Sequence, residues 1–103
     1  MKNKLLCLLL ILAVTACTSS KKLMTPASGD VEKMSQQGVQ TDMASLQAGH
    51  SLFLSNCGKC HALIPPPNRT VDQWNKILPK MFPKTKLTEE EQGKVRNYIM
   101  ARR

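Results

Sequence analysis

The sequence predicts an all-α fold, a small helical domain preceded by a tether. Three observations carry this. From Ala44 onward apolar residues recur in three short blocks at helical spacing, no stretch alternates as a half-buried strand does, and the last two blocks open on capping boxes. At 103 residues the chain has room for one small domain at most, and its first residues belong to export rather than to that domain.

Lys2 and Lys4 precede an unbroken apolar run from Leu5 to Val14. That run is far below the roughly 20 residues of a membrane-spanning helix, so residues 1–16 read as a secretory signal peptide. It ends in "VTAC", Val14 to Cys17, with a cysteine where cleavage would leave it first. This resembles the lipobox of bacterial lipoproteins. The resemblance implies that Cys17 takes a diacylglyceryl thioether, that the peptide is cut before it, and that the new amino end is acylated. Stable anchoring takes two lipid signals, so two or three chains on one residue hold permanently. The implied location is the bacterial cell envelope, lipid-anchored and facing the periplasm. Thr18, standing where an aspartate would retain the protein, points by the same resemblance to the outer membrane. Cys7 lies inside the signal and has no assigned role.

Residues 18–43 are polar, rich in Ser, Thr, Gln and Gly, and show no periodic apolar face. Residues 17–43 therefore read as a lipidated flexible tether. A coil of about 26 residues has an end-to-end distance of roughly 25 to 30 Å.

The domain, residues 44–103, follows. In its first block Leu46, His50, Phe53 and Cys57 fall on one narrow helical arc, with Gly49 beside them. The second block opens on the capping-box pair Thr70 and Gln73 and presents Val71, Trp74, Leu78 and Met81 along one side. Pro79 disfavours helical geometry at Leu78, which predicts a stop or kink there and leaves Met81 on a loop between Pro79 and Pro83. In the third block Thr88 caps, Glu91 completes the box, and Val95, Tyr98 and Ile99 form the apolar face. Acidic residues at its start and Arg102 and Arg103 at its end suit the helix dipole, while Gly93 interrupts the pattern at a cost of about 1 kcal/mol. One Trp, one Tyr and two Phe make a poor core for so short a domain, and domains below roughly 70 to 80 residues usually need a staple.

The candidate staple is "CGKCH", Cys57 to His61. A structural zinc site needs four ligands, usually from a second Cys or His pair, and only His50 remains. A thioredoxin-like dithiol sits beside a βαβ sheet, and strand patterns are absent. A plain disulfide fits an oxidising compartment but leaves the adjacent histidine and the small core without an account. Cys-x-x-Cys-His is the c-type haem attachment signature. Cys57 and Cys60, one helical turn apart, suit two thioether bonds, His61 suits the iron, and the porphyrin supplies the missing core.

Residues 45–103 resemble the class I c-type cytochromes in "AGHSLF" before "CGKCH", a Pro-rich loop after it, a Trp, a Met about twenty residues past the histidine, and "LTEEEQGKVRNYI" at the end. The resemblance implies a small helical domain wrapped around one covalent haem c. It implies that Gly49 and Phe53 on the first helix cross Tyr98 on the last. The family's proline, whose carbonyl orients the proximal histidine, maps to one of Pro65, Pro66 or Pro67. The family's tryptophan, which bonds a haem propionate, maps to Trp74, so Pro66 and Trp74 join Cys57 and Cys60 as candidate cofactor contacts. The family's methionine loop falls at Met81, which with His61 would fill both axial positions of the iron. His50 is the rival ligand, and its place on the Phe53 stripe favours a packed or propionate-linked role.

A haem with both positions filled carries one electron and leaves no open site for substrate. No Ser, Cys or carboxylate arrangement suggests catalysis, so the expectation is a membrane-tethered electron carrier and not an enzyme. The other classes are a gas sensor or peroxidase-like catalyst, if Met81 does not bind, and a fixed subunit of a larger respiratory complex. Removing residues 1–16 takes away Lys2 and Lys4 and leaves thirteen basic against seven acidic residues, a net charge of +6. Lys59, Arg69, Lys76, Lys80, Lys84 and Lys86 flank the motifs and suit a redox partner with an acidic surface. Nucleic acid is excluded as a partner by the compartment and by the scarcity of aromatic residues.

Overall fold

A computed structural model describes residues 24–58 and 62–103, and these described residues form four α-helices joined by turns. They are α1 (Asp30–Gln36), α2 (Met43–Cys57), α3 (Val71–Met81) and α4 (Glu89–Arg102). Short 3-10 turns, Pro66–Asn68 and Phe82–Lys84, flank α3. Among the described residues there is no strand and no helix long and apolar enough to cross a membrane. The signal peptide, Cys17, Cys60 and His61 lie outside the described residues.

The caps form as their sequences require. Thr70 accepts from the Gln73 backbone N–H at 3.2 Å while the Gln73 side chain accepts from the Thr70 N–H at 2.9 Å. Thr88 and Glu91 do the same at the start of α4. Helix α2 begins on a cap that the sequence reading placed in the tether, where Asp42 accepts from the Ser45 N–H at 2.7 Å.

Helices α2 and α4 cross at Gly49. A methyl group built there would lie 2.7 Å from the Lys94 carbonyl carbon and 2.9 Å from the Tyr98 Cβ, so only glycine allows the two backbones this close. Around the crossing Phe53, Val95, Tyr98 and Ile99 are buried, and Trp74, Leu78 and Phe82 complete the cluster from the α3 side. Each such side chain stabilises the fold by about 1.5 to 3 kcal/mol relative to exposure. Gly93 has nothing within 4 Å of an added methyl and takes no part in the approach.

Two expectations need correction. Pro79 does not end α3, which continues to Met81 and passes into the Phe82–Lys84 turn, so Met81 is the last helical residue and not part of a loop. Val71 is 39 % exposed and does not share the buried face of Trp74 and Leu78.

The segment expected to be slack is the larger difference. Residues 30–36 form α1, with Met34 buried against Leu46 and Ala101. Its C-terminal end closes as a Schellman motif, because Gly38 takes φ +77° and the N–H groups of Gly38 and Val39 return to the carbonyls of Ser35 and Met34. Val39 then packs against the cluster of Met34, Leu46 and Ala101.

His50 packs on Tyr98, with ring centroids 5.0 Å apart. Burial, and after it the Arg102 charge, hold its imidazole below its ordinary pKa. The unfolded chain then binds more protons than the folded one. This contribution is fully present above the ordinary value of about 6.5 and is lost as pH falls from there through the folded value. The unfolding midpoint should therefore drop as pH falls below about 6.5, and His50→Gln should flatten that drop. An unchanged profile in the variant would assign the effect to another group. Asp42 and Glu91, held low by the backbone N–H groups they accept from or reach, act in the same direction at more acid pH.

Candidate functional site

Helix α3 meets the α2–α4 pair through Trp74 and Leu78, and beside those contacts a cavity of about 150 Å³ remains. Phe53 and Cys57 of α2 form one wall. The connector contributes Leu63, Ile64 and Arg69, and α3 contributes Trp74, Ile77, Leu78 and Met81. Arg69 is the one charged side chain among them.

Two residues singled out from sequence, Cys57 and Met81, thus border the same space although 24 positions separate them. Helical periodicity explains why. Cys57 ends the Phe53 stripe of α2, and Met81 continues the Trp74 and Leu78 stripe of α3. Ile77, Leu63 and Ile64 were not anticipated. Ile77 lies three residues after Trp74 and four before Met81, so its spacing already placed it on this face.

Cys57 is half-buried and its thiol is free, and burial pushes its pKa up. Its sequence partner Cys60 and the adjacent His61 lie outside the described residues. Among the described residues no three His, Cys, Asp or Glu side chains gather as a metal site.

Trp74 and Pro66 are brought together, but for each other. The indole Nε1–H donates to the Pro66 carbonyl at 2.9 Å in the interior, and the Arg69 backbone N–H reaches the same oxygen at 3.4 Å. In this arrangement the indole N–H is spent on Pro66. This pairing ties the turn after the cysteine motif to α3 and holds the far wall in place. The sequence signal for it is weak, since any of three consecutive prolines offers a carbonyl.

His50 does not line the cavity, in keeping with a packed histidine. Tyr98 donates its hydroxyl to the Met24 carbonyl, and burial raises its pKa far above the ordinary tyrosine range. It is therefore a fixed structural phenol. Comparison with protein families, curated proteins and solved structures finds no match to this chain.

Proposed function

We propose that the protein is a lipid-anchored electron carrier whose helical domain binds one c-type haem through Cys57 and Cys60, with His61 and Met81 as axial ligands. The observation that carries this reading is that Cys57, at the head of a Cys-x-x-Cys-His motif, and Met81 border one apolar cavity. The residues present fit the group. Phe53, Leu63, Ile64, Ile77 and Leu78 offer the apolar walls a porphyrin face needs, and Arg69 is placed to pair with a porphyrin carboxylate. Trp74 contributes its ring to the wall while its N–H stays with Pro66. When bound, the haem supplies a one-electron couple, and a histidine–methionine ligand pair raises its potential.

The chain's own part is to exclude water and fix orientation. The Trp74–Pro66 bond holds the connector against α3, and the Gly49 contact fixes α2, on which Cys57 sits, against α4. The crossing of α2 and α4 at Gly49, Phe53 and Tyr98, with ring centroids of the last two 5.5 Å apart, is the arrangement implied by the resemblance to class I c-type cytochromes. Lysines on and around α3 suit an acidic redox partner, and Cys17 the lipid anchor.

Thioether bonds survive denaturation, which makes the attachment directly testable. Acid-acetone extraction of the native protein should leave all haem on the polypeptide, and the Cys57→Ala, Cys60→Ala double variant should retain none. Haem that extracts from the wild type, or zinc in its place, overturns the reading.

A further inference from the structure

Residues 24–39 lie against the C-terminal half of α4, held by contacts of different kinds. The Tyr98 hydroxyl donates to the Met24 carbonyl. Asp30, only 6 % exposed, pairs with Arg102 at 3.2 Å. The Lys33 ammonium donates to the Ala101 carbonyl at 3.0 Å and to the Arg103 carbonyl, a cation at the helix end where the dipole favours one. Met34, 1 % exposed, fills the apolar gap between Leu46 and Ala101.

We infer that this segment is the fixed base of the membrane anchor, and that it holds the domain close against the bilayer surface. The inference rests on the proposed lipidation of Cys17. Where the leash ends follows from where docking begins. From Cys17 to Met24 there are seven residue steps, which span at most about 25 Å however they are arranged. A chain free as far as Ala44 would have 27 steps, or about 95 Å. Docking therefore cuts the reach roughly fourfold. The leash also enters at a defined point beside Tyr98, so the domain presents one end to the lipid, and a partner must come within the same shell to exchange electrons. Asp30, Lys33 and Met34 are positioning residues in this scheme and do not line the cavity.

Two measurements on the full, lipidated protein in a supported phosphatidylcholine bilayer test it. Hydrogen exchange reads the docking, and neutron reflectivity reads the height of the protein layer. In the wild type the amides of Lys33 and Gln37 to Val39 should exchange slowly, and the layer should begin within about 25 Å of the headgroups. In an Asp30→Lys, Met34→Asp double variant those amides should exchange at free-peptide rates and the layer should spread outward. Should that variant not fold, a Gly/Ser insertion of about ten residues after Leu23 lengthens the leash with the docked contacts intact, and it should raise the layer. Free exchange over residues 30–39 in the wild type, or a layer indifferent to the insertion, overturns the inference. A Cys17 without acyl mass removes the lipid anchor itself, and the short leash falls with it, while slow exchange would still show the segment docked.

Discussion

Gly49→Ala is expected to lower the unfolding midpoint by about 15 °C or more, or to prevent folding, because the added methyl meets backbone that cannot move alone. The methyl would lie 2.7 Å from the Lys94 carbonyl carbon, and nearer still to its oxygen, with the Tyr98 Cβ at 2.9 Å on the other side. Relief requires α2 and α4 to separate, which opens the cluster of Phe53, Val95, Tyr98 and Ile99. Overpacking of this kind typically costs about 1 to 3 kcal/mol, and rigid backbone puts this site at the upper end. For a domain of this size each kcal/mol moves the midpoint by about 4 to 8 °C. The matched control is Gly93→Ala. With nothing within 4 Å and a place inside α4, that substitution should stabilise by about 1 kcal/mol through helix propensity alone. Thermal unfolding of the two variants should therefore move in opposite directions. A Gly49→Ala protein as stable as the wild type would refute the close crossing.

If the protein binds the proposed haem, Met81→Ala is expected to abolish the weak far-red absorption of iron–sulfur ligation in the oxidised protein and to open the ferrous iron to carbon monoxide. Of the five methionines among the described residues, Met81 alone lines the cavity with Cys57. Loss of the thioether should also lower the reduction potential by a substantial part of the roughly 0.8 V range that axial ligands cover. Met100→Leu and His50→Ala should leave the band in place, because Met100 packs between the two apolar clusters and His50 on Tyr98. Optical spectra and a redox titration of the three variants decide the matter. Ready carbon monoxide binding by the wild type, or a band that survives Met81→Ala, would move the ligand elsewhere and favour a sensor or catalyst.

The comparison of α1 with α4 shows where sequence reasoning loses its hold. Helix α4 carries an acidic first turn, a capping box and three apolar residues on one face, so its ends and its buried side are legible from the chain alone. Helix α1 has seven residues, no side-chain cap bond and one fully buried apolar residue, Met34, too little for a period to emerge. Its signals were Gly38 placed to close a Schellman motif and the apolar Met34 and Val39 on either side of it, and both are diluted in a polar composition. Asp30 reads as an ordinary solvated acid until Arg102, 72 positions away, is beside it.

What the sequence by itself determined is whatever is encoded over a few neighbouring residues: the all-α class, the capping boxes of α3 and α4, the apolar faces of Phe53, Trp74, Leu78 and Tyr98, and the motif at Cys57. These depend on local hydrogen bonds and on a 3.6-residue period, which neighbours in the chain suffice to define. Only the tertiary structure decided that Cys57 and Met81 share a cavity, that Pro66 takes the Trp74 N–H, and that residues 24–39 dock. The physical reason is that a period states which side of a helix is apolar but not what that side meets. Partners, distances and the direction of a buried N–H are settled by the packing of segments far apart in the chain.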